Sequence, residues 1–361
     1  MKQEHRSEKY YPMLDALRGF ASFSVVLYHL SHWLNAPWLA TNSNLAVDMF
    51  YCLSGFVLAS AYSERKDMSF AQFAVRRFIR LTPLVFLATI ISAAYILLRY
   101  YISDPRSHVF QEDMGYETIG IAMILGTINV PYFYAPHVIG GPELFPLNGP
   151  QYTLFFEVFV NLLWWYARHL PQVKASLFAI VLCAPLSLAL GFGGANAENF
   201  ISGFPRVIMC FGLGVLVFHS RTLVLRQASL LFVLYSSLIV MLCMFYAPIK
   251  IYQILHLCYI LFVIPAVVLS GSRINLPTTG RKLALMLGAL SYPVYVLHYP
   301  IFMWINGAYR KHYGDQNVVI EGSILIVALF ASFVVLKIYD QPVRSWLSSL
   351  VRSGMFVRTK G

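Results

Sequence analysis

Residues 14–34 read LDALRGFASFSVVLYHLSHWL, an apolar run long enough to cross a bilayer that nonetheless carries a guanidinium and imidazoles. Arg18 and His29 stand eleven residues apart within it. At about 100° of turn per residue they return to nearly the same helix face, separated along the axis by roughly 16 Å. Ionisable side chains inside a membrane are expensive, turn towards a bundle interior or a cavity, and mark a site by default. The plainer alternative has Arg18 snorkelling to a headgroup and His29 bonding a neighbouring helix. That alternative loses ground as further buried charges appear along the chain.

Of the 361 residues, 58% are hydrophobic, 16% aromatic and only 12% charged. A soluble domain has no interior large enough for so much apolar surface. Apolar segments near 12–34, 45–62, 81–98, 150–167, 175–192, 201–218, 228–247, 251–270, 283–306 and 320–338 suit about ten crossings of hydrocarbon about 30 Å thick. The expected fold is all-α, a polytopic transmembrane helical bundle. Residues 118–131, TIGIAMILGTINVP, are apolar but short, and fit a re-entrant or interfacial helix on the outer face.

The net charge of +11 would by itself suit nucleic acid, but its placement argues for none. Basic residues gather at alternate ends of the apolar segments, as when Lys and Arg stay cytoplasmic. Apart from Arg18 inside the first span, only Arg99, Arg106, Arg206, Lys250, Arg310 and Lys311 fall outside that pattern. Both termini are therefore expected in the cytoplasm, with MKQEHRSEK opening a signal-anchor. Residues 1–340 read as the membrane domain, and 341–361 as a basic cytoplasmic tail forming a membrane-surface helix. Cysteines 52, 183, 210, 243 and 258 lie in apolar segments without ligand spacing, so they read as core residues, with neither disulfide nor metal implied.

Four polar residues reach similar depth near the outer face. His29 is in the outer half of the first span, Asp48 opens the second, Glu157 follows NGPQYTLFFE, and His298 lies in LSYPVYVLHYP. An imidazole beside a carboxylate is the usual general-base arrangement, although Asp48 alone fits a helix cap equally well. At the opposite face RRFIRLTP carries Arg76, Arg77 and Arg80. Arg77 and Arg80 share a helix face and, with Arg18, make an anion site suited to phosphate. Arg76 is left to membrane anchoring. Gly55, Gly212 and Gly214 are expected to allow close helix packing, and Pro293 and Pro300 to kink the span near His298. Phosphate-binding arginines below and histidines above suit a donor with a phosphorylated head and a long thin arm, such as coenzyme A. The same layout suits a transporter or flippase of an anionic lipid-linked sugar, but the internal repeats and paired interrupted spans expected of one are not evident.

These residues resemble the integral-membrane acyltransferase family 3, bacterial enzymes that O-acylate cell-surface sugars and related acceptors. LDALRGFASFSVVLYH is similar to the family's opening R-x10-H segment, VDMFYCLSGFVLA to its second-span motif and FAVRRFIRLTPL to its R-x-x-R segment. NGPQYTLFFEVFVNLLW resembles its Glu-containing span, FPRVIMCFGLGVLV its Arg and Gly span, and LGALSYPVYVLHYPIF its late Ser-Tyr-x-x-Tyr-x-x-His-x-Pro segment. Tyr152 stands where members often have Trp. Met49, Tyr51 and Cys52 replace a more usual Leu-Phe-Phe-Val run.

The resemblance implies that His29 is the catalytic base and that Arg18, Arg77 and Arg80 bind the donor. Asp48 or Glu157 would orient His29, and His298 would donate a hydrogen bond to the carbonyl oxygen. Arg206, Tyr152, Ser291 and Tyr295 stand as structural or substrate-contacting candidates. The implied activity is acyl transfer from cytoplasmic acyl-coenzyme A, acetyl-coenzyme A preferred, to a saccharide or glycolipid hydroxyl. The donor is a co-substrate; no permanent cofactor is expected. Many relatives carry an appended extracytoplasmic esterase-like domain; from its length this chain is expected to lack one, its acceptor being handled by the membrane domain or by another protein. The expected setting is the bacterial cytoplasmic membrane, among its lipids, and homo-oligomerisation stays open.

Overall fold

The computed structural model describes residues 10–33, 36–63, 65, 68–102, 116–136, 143–222, 226–313 and 318–353. The N-terminal MKQEHRSEK, Arg106 and residues 354–361 of the basic tail lie outside the described residues. Thirteen α-helices follow in order. They are α1 (Pro12–Trp33), α2 (Ala46–Tyr62), α3 (Phe70–Ile102), α4 (Tyr116–Thr127), α5 (Tyr152–Ala167), α6 (Gln172–Leu190) and α7 (Gly203–Ser220). There follow α8 (Gln227–Tyr246), α9 (Gln253–Cys258), α10 (Ile264–Gly271), α11 (Thr278–Tyr313), α12 (Val318–Val335) and α13 (Gln341–Arg352). The only β pairing among the described residues is an isolated bridge between Glu143 and Asn196.

Eight helical stretches among the described residues are long and apolar enough to cross a membrane. They are α2, α3, α6, α7, α8, α9 with α10, α11, and α12 with α13. The two expected spans missing from that set, α1 and α5, are the ones whose apolar runs are broken by Asp15, Arg18, His29 and His32, and by Glu157 and Asn161. α4 has 12 residues, roughly 18 Å of rise, and is too short to cross, in keeping with the sequence reading. α6 and α8 form the periphery, where Phe178, Val181 and Phe232 are exposed as lipid-facing side chains are.

Several local choices set the packing. π-helical turns at 259–263 and 336–340 each run up to a proline, Pro265 and Pro342, whose missing N–H breaks the ordinary ladder. α2 and α7 touch along their backbones. A side chain at Gly214 would run into the carbonyl of Cys52, and one at Gly55 into that of Phe211. Gly212 meets only ordinary contacts, so two of the three expected glycines serve close approach. α11 carries both Pro293 and Pro300 as one continuous helix. Pro300 has no N–H for the carbonyl of Val296, and Asn148 Nδ2 donates to that carbonyl at 3.1 Å. Cys52, Cys183 and Cys210 are buried, whereas Cys243 and Cys258 face outward, against the expectation that all five fill the core.

Candidate active site

Helices α1, α2, α3, α5 and α11 surround an open pocket of about 680 Å³, mouth included. Arg18 enters it from α1, Arg77 and Arg80 from α3, Glu157 from α5, and Ser291, Tyr292 and Tyr295 from α11. Arg18 Nη1 donates to Asp15 Oδ1 at 2.9 Å, one turn earlier. The guanidinium of Arg77 is buried, 5.5 Å from the ring centres of Tyr62 and of Phe73. Its Nε has no hydrogen-bond partner among the described residues. Arg76 is exposed, off the pocket. Three guanidiniums around one carboxylate leave the pocket electropositive, with planar donors suited to phosphate.

Glu157 belongs to this pocket, apart from the histidines. Ser54 Oγ donates to Glu157 Oε1 at 3.0 Å and to Asn161 Oδ1 at 3.3 Å, tying α2 to one face of α5. The pocket reaches Thr153 and Tyr295, whose hydroxyls share a hydrogen bond of 2.6 Å. Neither His29 nor His298 lines it. Ser291 also joins α1 to α11, its carbonyl accepting from Ser22 Oγ at 2.7 Å.

Beyond that bond sit the two histidines. The rings of His29 and His298 have centres 5.3 Å apart, and Tyr299 meets His29 edge-on at 6.1 Å. His298 Nδ1 bonds the carbonyl of Tyr295 at 2.7 Å. A carbonyl only accepts, so Nδ1 carries the hydrogen and a neutral His298 presents Nε2 as a lone pair. That Nε2 is buried and has no partner among the described residues. The expected donation from His298 to a carbonyl oxygen therefore requires its imidazolium form.

Asp48 lies elsewhere. Its carboxylate takes Arg206 Nε at 2.6 Å and Nη2 at 3.1 Å, and His256 Nε2 at 2.7 Å. Arg206 Nη1 also donates to the carbonyl of Phe192 at 2.8 Å, and the ring of Phe192 stacks on His256 with centres 4.1 Å apart. This buried cluster joins α2, α7, α9 and the 191–196 segment. In it Arg206 bridges α7 to α2 and to the 191–196 segment, and the hydroxyl of Tyr152 lies against it. Among the described residues no carboxylate hydrogen-bonds His29, so neither Asp48 nor Glu157 orients it as expected. Two residues escaped the sequence reading. His256 carried the same signal as His29, an imidazole in an apolar span. Glu143, which accepts a hydrogen bond from Tyr299, sits in a loop with no periodicity to mark it.

Residues 11–337 match a protein family described as an acyltransferase domain. "Protein 2 in picA locus" of Rhizobium radiobacter is 32% identical over 43% of this chain and 82% of its own length. The peptidoglycan O-acetyltransferase OatA of Listeria monocytogenes is 35% identical over 26% of this chain and 15% of its own. The O-acetyltransferase OatA of Staphylococcus aureus is 24% identical over 98% of this chain, which spans 61% of that protein. No solved structure matches the chain. Its membrane-length helices, its ordered motifs and this match over nearly the whole chain agree: the chain belongs to the integral-membrane acyltransferase family 3.

Proposed function

We propose that this protein is a membrane O-acyltransferase that moves an acyl group, acetyl by preference, from cytoplasmic acyl-coenzyme A to a saccharide hydroxyl at the outer face. The observation that carries the reading is the convergence of Arg18, Arg77 and Arg80 on one pocket that ends three residues of α11 from His298. The guanidiniums would grip the coenzyme A phosphates, and the arm would run towards the histidines. Tyr295 and Thr153 stand in that path, so their hydrogen bond must open for the thioester to pass. The family's relatives named as O-acetyltransferases support the choice of acetyl and of a cell-wall or surface saccharide.

In the transfer, His29 takes the proton from the acceptor hydroxyl as its oxygen attacks the thioester carbonyl. The new C–O bond forms, the C–S bond breaks, and coenzyme A leaves as the thiol with the proton His29 held. His298 lies beside His29, its ring centre 5.3 Å away and its Nε2 lone pair without a partner among the described residues, placed to share that proton. Proteoliposomes of known orientation, given labelled acetyl-coenzyme A on one side and an oligosaccharide acceptor on the other, test the whole reading. Labelled acceptor is expected only when donor is on the side of α3's N-terminus. Transfer with both confined to one side would refute the crossing, and no transfer from any acyl-coenzyme A would refute the enzyme.

A further inference from the structure

The histidine pair has a carboxylate close by that neither the motifs nor the arginine pocket uses. Glu143 lies six residues ahead of Gly149 and is pinned by its bridge to Asn196 and by Leu144 N donating to the carbonyl of Ala195 at 3.0 Å. Its side chain folds back onto Gly149, where an added Cβ would collide with the carboxylate. A side chain at 149 would push that carboxylate from its place. The carboxylate accepts the hydroxyl of Tyr299. Its Oε2 is buried and has no partner among the described residues. The ring of Tyr299 in turn packs edge-on against His29, and its backbone continues directly from His298.

We propose that Glu143, acting through Tyr299, is a positioning residue that sets the orientation and availability of His29. As a carboxylate it holds the Tyr299 hydroxyl and so keeps the ring edge against the imidazole. Once protonated it becomes a donor, the hold on Tyr299 relaxes, and the wall of the His29 site loosens. Burial supplies the reason this matters near neutrality, pushing Glu143 up to about 7 from 4.5 even though the Tyr299 hydrogen bond pulls the other way. The titratable groups facing Glu143 among the described residues are Tyr299 from α11 and Tyr152 at the start of α5. From the 191–196 segment it meets Asn196, which does not titrate. The inference rests on the acyltransferase reading for its consequence, but its physical content concerns His29 alone.

The test therefore reads His29 directly. The full chain, purified in detergent, is treated with diethylpyrocarbonate from pH 5 to 9, and modification of His29 is quantified by mass spectrometry. Wild type, Glu143→Gln, Tyr299→Phe and the double variant are compared, since these changes keep shape and remove only the titrating group or the hydroxyl. The expected outcome is a change of about threefold or more in His29 reactivity at pH 7 in each single variant. Both should lose an inflection near neutrality, and the double variant should match the singles because both act through one contact. In acetyl transfer, kcat should fall about tenfold with KM for acetyl-coenzyme A unchanged. A carboxylate that merely braces the loop would leave the His29 profile of Glu143→Gln identical to wild type, and that result overturns the proposal. A wild-type protein inactive with every acyl-coenzyme A would sink the enzyme reading instead, and the modification profiles would still decide the coupling.

Discussion

Asp48 and Glu143 are both carboxylates beside a histidine-bearing cluster, and their surroundings are opposite. Asp48 receives Arg206 twice and His256 once, deep among α2, α7 and α9. Glu143 has the hydroxyl of Tyr299 and one oxygen with no partner among the described residues. The histidines follow the same division. His256 is stacked and paired, while His298 keeps a buried Nε2 without a partner among the described residues and His29 packs against the rings of Tyr28, His298 and Tyr299. Buried polar groups in folded proteins are almost always satisfied, and the two orphaned atoms His298 Nε2 and Glu143 Oε2 both flank His29 through Tyr299 and the paired imidazole rings. The paired cluster holds helices together, and the proposed function places the chemistry at the other.

The strongest way to break that contrast is Asp48→Asn. It removes the charge that balances Arg206 and leaves a buried guanidinium uncompensated, which costs about 3–5 kcal/mol in comparable sites. Thermal unfolding in detergent should show a large fall in Tm, and activity should vanish with the fold. His29→Ala should do the reverse. Loss of a general base lowers kcat by about 10²–10⁴-fold, while unfolding should match wild type because His29 makes no polar bond between helices among the described residues. A folded, active Asp48→Asn, or a His29→Ala that unfolds early, would dissolve the division.

A smaller effect belongs to the arginine pocket. Arg77→Lys and Arg80→Lys keep the charge but lose the planar fork that grips phosphate. Coenzyme A binding by calorimetry should weaken by about tenfold for each, on the scale of one charge-assisted hydrogen bond. Arg76→Lys, on an exposed face outside the pocket, should bind as wild type does. Equal affinities in all three would assign the cluster to membrane anchoring.

Much of this was legible in the sequence, because counting residues along an apolar run gives depth. It placed Arg18 below His29, gathered Arg77 and Arg80 with Arg18, and set His298 level with His29. Azimuth is another matter. Glu157 was expected level with His29, yet it turns to Ser54 on α2 and shares the pocket of Arg18, Arg77 and Arg80. Asp48 pairs with a residue 158 positions away, and nothing local to either segment reports the meeting. The rule that ionisable residues in apolar spans mark a site found both clusters and could not rank them. Only the count of hydrogen bonds each group makes does that.

A further expected effect is on stability, and it sets Glu143 against Asp48 through pH. Glu143 is raised by burial to about 7 in the folded chain, against 4.5 when exposed. Between those values the folded state holds a proton that the unfolded state has released. Stability from this group is thus fully present below about 4.5 and is lost as pH rises through about 7, with a slope of at most about 1.4 kcal/mol per pH unit for one proton. In detergent, wild type should lose Tm gradually from pH 5 to 7 relative to Glu143→Gln, whose amide does not titrate, and the two curves should run parallel above about pH 8. A wild-type curve parallel to that of Glu143→Gln from pH 5 to 7 as well would mean that the carboxylate is solvated. The outer cluster would then be as well satisfied as the inner one.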